Sequence, residues 1–324
     1  MSDISNLPVL ILAYNRFDKF NKCINTLYKQ GIKKIFLTID GPKNKNDLIN
    51  QEKIHNFCLN NNLDLEIKIN QLNYNHGCRE GPLKGISWFF SENSYGVILE
   101  DDVILSKKGM QAFSFLLKKH ENNKKYMSLS SFNEFSNNSI KSIYSLPVWR
   151  SWGWASWSDR WLTHLEFSKK IKYFNMWELY KLMPRHLRSI ETVKLVKSSQ
   201  LNLLDAWDYE FNFTHVVNAK YSLTLGGINT FVYGFDNSAT HTINESSIGI
   251  DFNLFNERKI DCSSVKSNFE NSILILKKCG FQIRKNFFLS LKIYEFLKYL
   301  SYSQIFFLRQ IKRFIFRKYY KLIK

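Results

Sequence analysis

Short apolar runs alternate with longer amphipathic segments along the first hundred residues. The runs predict four buried strands, at residues 7–13, 34–39, 65–69 and 97–99. Between them, apolar residues recur at spacings of three and four, which predicts helices at 17–30, 47–61 and 81–93. Strands and helices that alternate at this spacing predict an α/β fold, in which a mostly parallel sheet has helices on both faces.

Polar clusters follow three of the predicted strands. They are Tyr14-Asn15-Arg16, Asp40-Gly41-Pro42 and Glu100-Asp101-Asp102. Ligands of open α/β sheets bind outside the carboxyl ends of the strands. The three clusters are therefore expected to converge on one rim of the sheet, although Asp40-Gly41 is also a common turn sequence.

The acidic triplet Glu100-Asp101-Asp102 lies between apolar residues 95–99 and 103–105. Charges in such a buried stretch cost several kcal/mol unless another group compensates them. A divalent cation is the usual compensator, and hard cations prefer carboxylate oxygens. The triplet therefore favours a Mg²⁺ or Mn²⁺ site over the alternative of a solvated acidic turn.

The second half of the chain is less regular after a helix predicted at 110–120. Four tryptophans fall within residues 149–157, and Trp161 follows. They form either a packed aromatic core or a flat wall on which a sugar stacks. Acids at 205–210 start another predicted helix, as the helix dipole prefers. The segment 226–242 is loop-rich and carries His241.

Composition indicates a folded protein with an uneven charge distribution. The 324 residues are 44% hydrophobic and 16% aromatic, which is enough for a sizeable core. The five cysteines form no CxxC pair, which favours reduced thiols in a cytoplasmic protein. We expect neither a signal peptide nor a spanning helix.

More than half of the formal charge of +18 lies at the carboxyl end of the chain. Residues 284–324 contain eleven Lys or Arg and one acid. Apolar residues at 307, 308, 311, 314 and 315 follow amphipathic helical spacing. This pattern predicts a helix on an anionic membrane surface, with packing on the protein as the alternative. Nucleic-acid binding is not expected, because no nucleic-acid motif accompanies the charge.

Seven short motifs occur in one order and together resemble those of bacterial GT-A sugar transferases, which have a Rossmann-like fold. The acidic motif is also similar to that of type I N-acetylglucosaminyltransferases. The motifs are Ala13-Tyr14-Asn15-Arg16, Asn75-His76-Gly77-Cys78-Arg79, Gly85-Ile86-Ser87-Trp88-Phe89-Phe90, Ile98-Leu99-Glu100-Asp101-Asp102, Trp152-Gly153-Trp154-Ala155, Ala206-Trp207-Asp208-Tyr209 and Ala239-Thr240-His241-Thr242. The resemblance runs from about residue 7 to 245. It implies a catalytic domain at 1–255, divided into a nucleotide-binding half at 1–105 and an acceptor half at 106–255. A helical region follows at 256–324.

The resemblance also implies roles for individual residues. Asp102 would bind the metal together with His241, and Trp152 and Trp154 would contact the acceptor. Asp208 would be the catalytic base, with Glu210 and Asp205 as open alternatives. The donor-binding residues would be Ala13, Tyr14, Asn15, Arg16, Asp40, Arg79, Glu100 and Asp101.

The function implied is metal-dependent, inverting transfer of a sugar from a nucleotide diphosphate sugar, with a UDP-sugar as the expected donor. The expected acceptor is a hydroxyl of a surface glycan or glycolipid, at the inner face of the cytoplasmic membrane. One alternative is a sugar-phosphate nucleotidyltransferase, but residues 13–16 lack the glycine-rich basic loop that cradles a triphosphate. The other is a membrane-binding protein without catalysis, for which a buried acidic triplet has no use.

Overall fold

The computed structural model describes residues 3–60, 62–131, 143–226, 229–233 and 265–266. These residues contain eight α-helices, which are α1 Phe17–Gln30, α2 Lys45–Asn60, α3 Gly77–Glu92, α4 Lys107–Lys119, α5 Ser158–Ile171, α6 Met176–Leu182, α7 Ile190–Gln200 and α8 Asp208–Val217. They also contain eleven strands, which are β1 Val9–Ala13, β2 Lys34–Ile39, β3 Glu66–Gln71, β4 Tyr95–Glu100, β5 Val103–Leu105, β6 Tyr126–Ser130, β7 Ile143–Leu146, β8 Trp154–Trp157, β9 Tyr221–Leu225, β10 Thr230–Val232 and β11 Val265–Lys266. His241 and the basic segment 284–324 lie outside the described residues, as does most of the predicted region 256–324.

Nine of the strands form one sheet in the order β11-β7-β9-β6-β8-β4-β1-β2-β3. Five of its eight neighbouring pairs are parallel, including every pair among β4, β1, β2 and β3. Strands β5 and β10 pair antiparallel as a separate small sheet. The predicted α/β class with a mostly parallel sheet is therefore confirmed for the described residues.

Alternate side chains of β1 enter two different cores. Ile11 belongs to the core that contains Phe20 of α1. Leu10 belongs to the core on the other face, with Phe89 of α3. All four side chains are completely buried, and each such burial contributes about 1.5–3 kcal/mol. Helices therefore cover both faces, which explains why β1 is a continuous apolar run rather than an alternating one.

Helix α1 shows how local sequence sets the bounds of these elements. Its buried residues recur at three- and four-residue spacing, and it ends at Gly31. Gly31 has a φ of +94° and closes the helix with backbone hydrogen bonds to Leu27 and Tyr28, because glycine adopts the left-handed region without a steric cost. In the part of the chain that the structure describes, none of the helices has the length and apolar character needed to cross a membrane.

Candidate active site

A cleft of about 690 Å³ opens at the carboxyl ends of β1, β2 and β4. The three polar clusters predicted to converge there all line it. Tyr14, Asn15 and Arg16 follow β1, Asp40 follows β2, and the acidic triplet follows β4. Residues 204–209, which precede and begin α8, form the facing wall. The cleft thus brings the first half of the chain against the second.

Arg16 is paired with the two aspartates of the triplet. Its guanidinium contacts Asp101, which is only 1% exposed, and donates from Nη1 to Asp102 Oδ2 at 2.8 Å. The expectation that only a bound cation compensates the triplet is therefore corrected, because the chain supplies one positive charge itself. Three carboxylates against one guanidinium still leave an excess of negative charge.

Burial is the main cause of raised pKa values in two of the acids. Burial and the neighbouring carboxylates of Asp102 and Asp101 raise the pKa of Glu100 to about 8. Burial, offset only in part by Arg16, raises the pKa of Asp101 to about 6. Burial and like charges both favour the uncharged form of a carboxyl group.

One carboxylate oxygen fits a role as a ligand of a divalent cation. Oδ1 of Asp102 is buried and has no hydrogen-bond partner among the described residues, and hard cations favour such oxygens. Among the same residues, no group of three or more His, Cys, Asp or Glu side chains surrounds a common point. Asp102 is therefore the residue that would hold Mn²⁺ or Mg²⁺, and it would do so with ligands from outside this set.

The raised pKa of Glu100 predicts how stability depends on pH in a Glu100→Gln variant. In the metal-free wild type, the folded state keeps a proton that the unfolded state releases above pH 4.5. The free energy of unfolding therefore falls as pH rises from 4.5 to about 8, by at most about 1.4 kcal/mol per pH unit for this group. Glutamine does not ionise, so the variant should not lose stability through this side chain as the pH rises.

Urea unfolding of both proteins in EDTA, at several pH values, tests this expectation. The stability of the variant relative to the wild type should increase steadily with pH across that window. Buried His164 and His215, whose pKa values are lowered by burial, are common to both proteins and cancel in the difference. A difference that does not change with pH would show that Glu100 is ionised in the folded protein.

Asp47 organises the loop after β1, and sequence reasoning missed it. The hydroxyl of Tyr14 donates to Asp47 Oδ2 at 2.5 Å, and the amide of Asn15 donates to Oδ1 at 2.6 Å. The backbone N–H of Lys43 adds a third bond at 3.0 Å. Although burial opposes it, these donors lower the pKa of Asp47. The polar groups of Tyr14 and Asn15 are thus directed at Asp47, while both residues still line the cleft.

Asp40 joins the end of β2 to the beginning of α3. Its carboxylate accepts backbone N–H groups of Gly41, His76 and Gly77 at 2.8–3.0 Å. A Cβ added at Gly81 would lie 3.2 Å from Asp40 Oδ2, so helix and strand end are close. Asp40 therefore stabilises this turn and also lines the cleft.

Arg79 and Glu210 are engaged with each other, away from the cleft. Arg79 Nη2 donates to Glu210 Oε1 at 2.8 Å, and Glu210 is 3% exposed. Glu210 also accepts from Ser168 at 2.6 Å and from Ser199 at 3.3 Å. Neither member of this pair lines the cleft. Arg79, the predicted donor contact, and Glu210, a predicted candidate base, are thus brought together as a pair rather than into the cleft.

The two other acids of this segment line the cleft. Asp208 is the first residue of α8. Asp205 accepts the backbone N–H groups of Cys78 at 2.9 Å and Arg79 at 2.7 Å. The carboxylate of Asp205 thus binds the first turn of α3, and both acids stay candidates for the base.

The tryptophan cluster divides between cleft and core. Trp152 lines the cleft, whereas Trp154 is 1% exposed. The ring of Trp154 lies 4.9 Å from that of Trp149 and 5.7 Å from that of Trp207, centroid to centroid. The structure packs Trp154 among other aromatic rings, and its contact with an acceptor stays a prediction. Only an aromatic side chain that lines the cleft, such as Trp152, can stack on a sugar.

The chain matches no protein-family model, and no curated protein matches it. Several solved structures are similar to it at low identity. A structure of GalNAc-T7 with UDP, GalNAc and Mn²⁺ is 8% identical, with a TM-score of 0.39, and the match covers 76% of this chain and 47% of that one.

Two further structures match most of their own length. The inositol-1-phosphate CTP transferase of T. maritima is 10% identical with a TM-score of 0.38, over 78% of this chain and 95% of that one. An active-site mutant of LgtC is 8% identical with a TM-score of 0.38, over 86% and 98% of the two chains.

Proposed function

We propose that this protein is a metal-dependent glycosyltransferase of the GT-A type, which uses a nucleotide diphosphate sugar, with UDP as the nucleotide. The observation that carries the proposal is the cleft itself. It places an acidic triplet with an unpartnered Asp102 oxygen at the carboxyl end of β4 and faces it with Asp208.

Two cations of the chain line the cleft and suit the diphosphate of a donor. Arg16 follows β1, and Lys43 precedes α2. Fixed donors of this kind stabilise negative charge as it develops on a leaving group. A divalent cation held by Asp102 would supply Lewis-acid stabilisation of the same charge. Asp40 and the loop of Ala13, Tyr14 and Asn15 would contact the nucleoside.

Asp208 would act as the base. Its carboxylate accepts the proton of the acceptor hydroxyl while that oxygen forms a bond to the anomeric carbon. The bond from this carbon to the diphosphate breaks, and the diphosphate leaves with the electron pair. A base separate from the donor corresponds to an inverting reaction, because the acceptor attacks the face opposite the leaving group.

The acceptor would bind on the side of the cleft where Asp208 lies. Trp152 and Tyr209 line the cleft there and offer aromatic surface to a sugar ring. The basic amphipathic segment 284–324 of the sequence favours a glycan or glycolipid acceptor at the inner face of the cytoplasmic membrane.

The alternative activity is a nucleotidyltransferase, and one experiment separates the two. Thermal unfolding is followed with UDP-, GDP-, CMP- and dTDP-linked sugars, each with and without Mn²⁺. A ligand that binds only the folded state raises its stability, by about 2.7 kcal/mol at a hundred times the Kd. We expect a UDP-sugar to stabilise the protein only when Mn²⁺ is present. Stabilisation by a nucleoside triphosphate together with release of pyrophosphate from it would overturn the proposal.

A further inference from the structure

Helix α3 begins with four backbone N–H groups, and two carboxylates bind all of them. Asp40 accepts from His76 and Gly77, at 2.8 and 2.9 Å. Asp205 accepts from the next two residues, at 2.9 and 2.7 Å. The first N–H groups of a helix have no partner within the helix, and its N-terminus favours negative charge. The two acids thus cap one helix from opposite sides of the cleft.

The hydrogen bonds that Asp205 accepts join segments far apart in the sequence, and they require glycine at position 77. Asp205 is 127 residues from Cys78 in the chain. Gly77 has a φ of +77°, and a Cβ there would lie 2.7 Å from Asp205 Oδ2. The carboxylate therefore approaches the helix only because residue 77 has no side chain. This close contact joins the facing wall of the cleft, residues 204–209, to the nucleotide-binding half.

The same wall is held at two further points. Ser199 Oγ donates to the carbonyl oxygen of Ala206 at 2.6 Å, and Glu210 is paired with Arg79. Asp208 lies between these points, two residues after Ala206 and two before Glu210. The contacts of these neighbours therefore hold the backbone on both sides of Asp208.

We propose that Asp205 is a positioning residue for Asp208: by capping α3, it fixes the wall that carries the base at a defined distance from the donor. This inference rests on the proposed function. Asp205 itself neither touches the reacting atoms nor exchanges a proton. A base displaced by about 1 Å loses up to about 100-fold in rate.

The test compares Asp205→Ala, Asp205→Asn, Asp208→Asn and the double variant Asp205→Ala/Asp208→Asn. Sugar transfer and donor affinity are measured separately, with folding checked by thermal unfolding. We expect Asp205→Ala to lower kcat by about 10- to 100-fold while the Kd for UDP with Mn²⁺ changes less than about twofold. Asparagine keeps an acceptor oxygen for one N–H, so Asp205→Asn should recover part of the rate and also provides a folded variant if alanine unfolds the protein.

The double variant separates positioning from a merely structural effect. If Asp205 acts through Asp208, its removal costs nothing further once the base is gone, so the double variant should match Asp208→Asn. Additive losses would overturn the positioning role. Glu92→Gln is the matched control at the other end of α3, where an exposed pair with Lys68 contributes little.

The outcomes also distinguish this inference from the proposed function. Wild-type turnover in Asp205→Ala, with Asp208→Asn inactive, would overturn the positioning role alone. Full activity of Asp208→Asn would remove the base from the proposed function, and the positioning role would fall with it.

Discussion

Replacement of Asp102 by alanine is expected to abolish metal-dependent nucleotide binding and sugar transfer. Asp102 is buried, and its Oδ1 has no hydrogen-bond partner among the described residues. It is the oxygen of the triplet best suited to a cation. The Kd for UDP in the presence of Mn²⁺ should rise by more than about 100-fold, since even an outer partner of a metal ligand is worth 10- to 100-fold. Calorimetric titration of UDP with and without Mn²⁺ measures this change.

The fold should survive this substitution. Asp102 lies beside Glu100 and Asp101, whose pKa values are raised in part by its charge. The substitution relieves repulsion within the triplet but also removes one of the two aspartates that pair with Arg16, so the melting temperature in EDTA should change little. The rise in melting temperature that Mn²⁺ and UDP produce together in the wild type should disappear. Mn²⁺-dependent nucleotide binding of wild-type strength in the variant would overturn the assignment of Asp102 as the metal ligand.

The regular part of the first half was predictable because its elements depend on local pattern. Helix α1 and strand β2 have the bounds that apolar spacing predicted. The convergence of three polar clusters also followed from the sequence, since the ends of parallel strands share one edge of a sheet. Helix α3 begins four residues earlier than predicted, at Gly77. Its first turn is stabilised by Asp40 and Asp205, which local periodicity does not reveal.

The side-chain contacts in the candidate site that the sequence did not predict have a common cause. Partners distant in sequence decide the direction of a side chain. Arg79 and Glu210 are 131 residues apart and pair with each other. Asp47 is 33 residues from Tyr14 and binds its hydroxyl. A single sequence signals neither contact. The only available hint for Asp47 was an acid in the first turn of a predicted helix.

The tryptophans show that partners distant in sequence also decide which apolar side chains are buried. Trp152 and Trp154 are two residues apart, yet one lines the cleft and the other is buried. Composition predicted an aromatic cluster but not which members face a ligand. Trp154 begins β8 and pairs with Ile98 and Ser130 of the neighbouring strands. This central place in the sheet, rather than any feature of the motif, buries its ring.

The second large effect is expected from Asp208→Asn, which should leave donor binding nearly unchanged and lower kcat by about 10²–10⁴-fold. Asparagine keeps the shape of the side chain but does not accept the proton of the acceptor hydroxyl. Asp208 lines the cleft at the first position of α8. Initial rates at saturating UDP-sugar and acceptor, together with the Kd for UDP with Mn²⁺, measure the two quantities.

Glu210→Gln is the matched comparison, because Glu210 is an acid of the same helix turn that does not line the cleft. It should lower stability, by about 1–3 kcal/mol, since Arg79 loses its buried charged partner and keeps only the more exposed Glu80. Turnover of the folded fraction should fall far less than in Asp208→Asn, because the glutamine oxygen still accepts from Arg79 and no proton passes through residue 210. The reverse pattern, with Glu210→Gln folded but inactive and Asp208→Asn active, would place the base two residues further along α8. Activity in both variants would exclude Asp208 and Glu210 as the base.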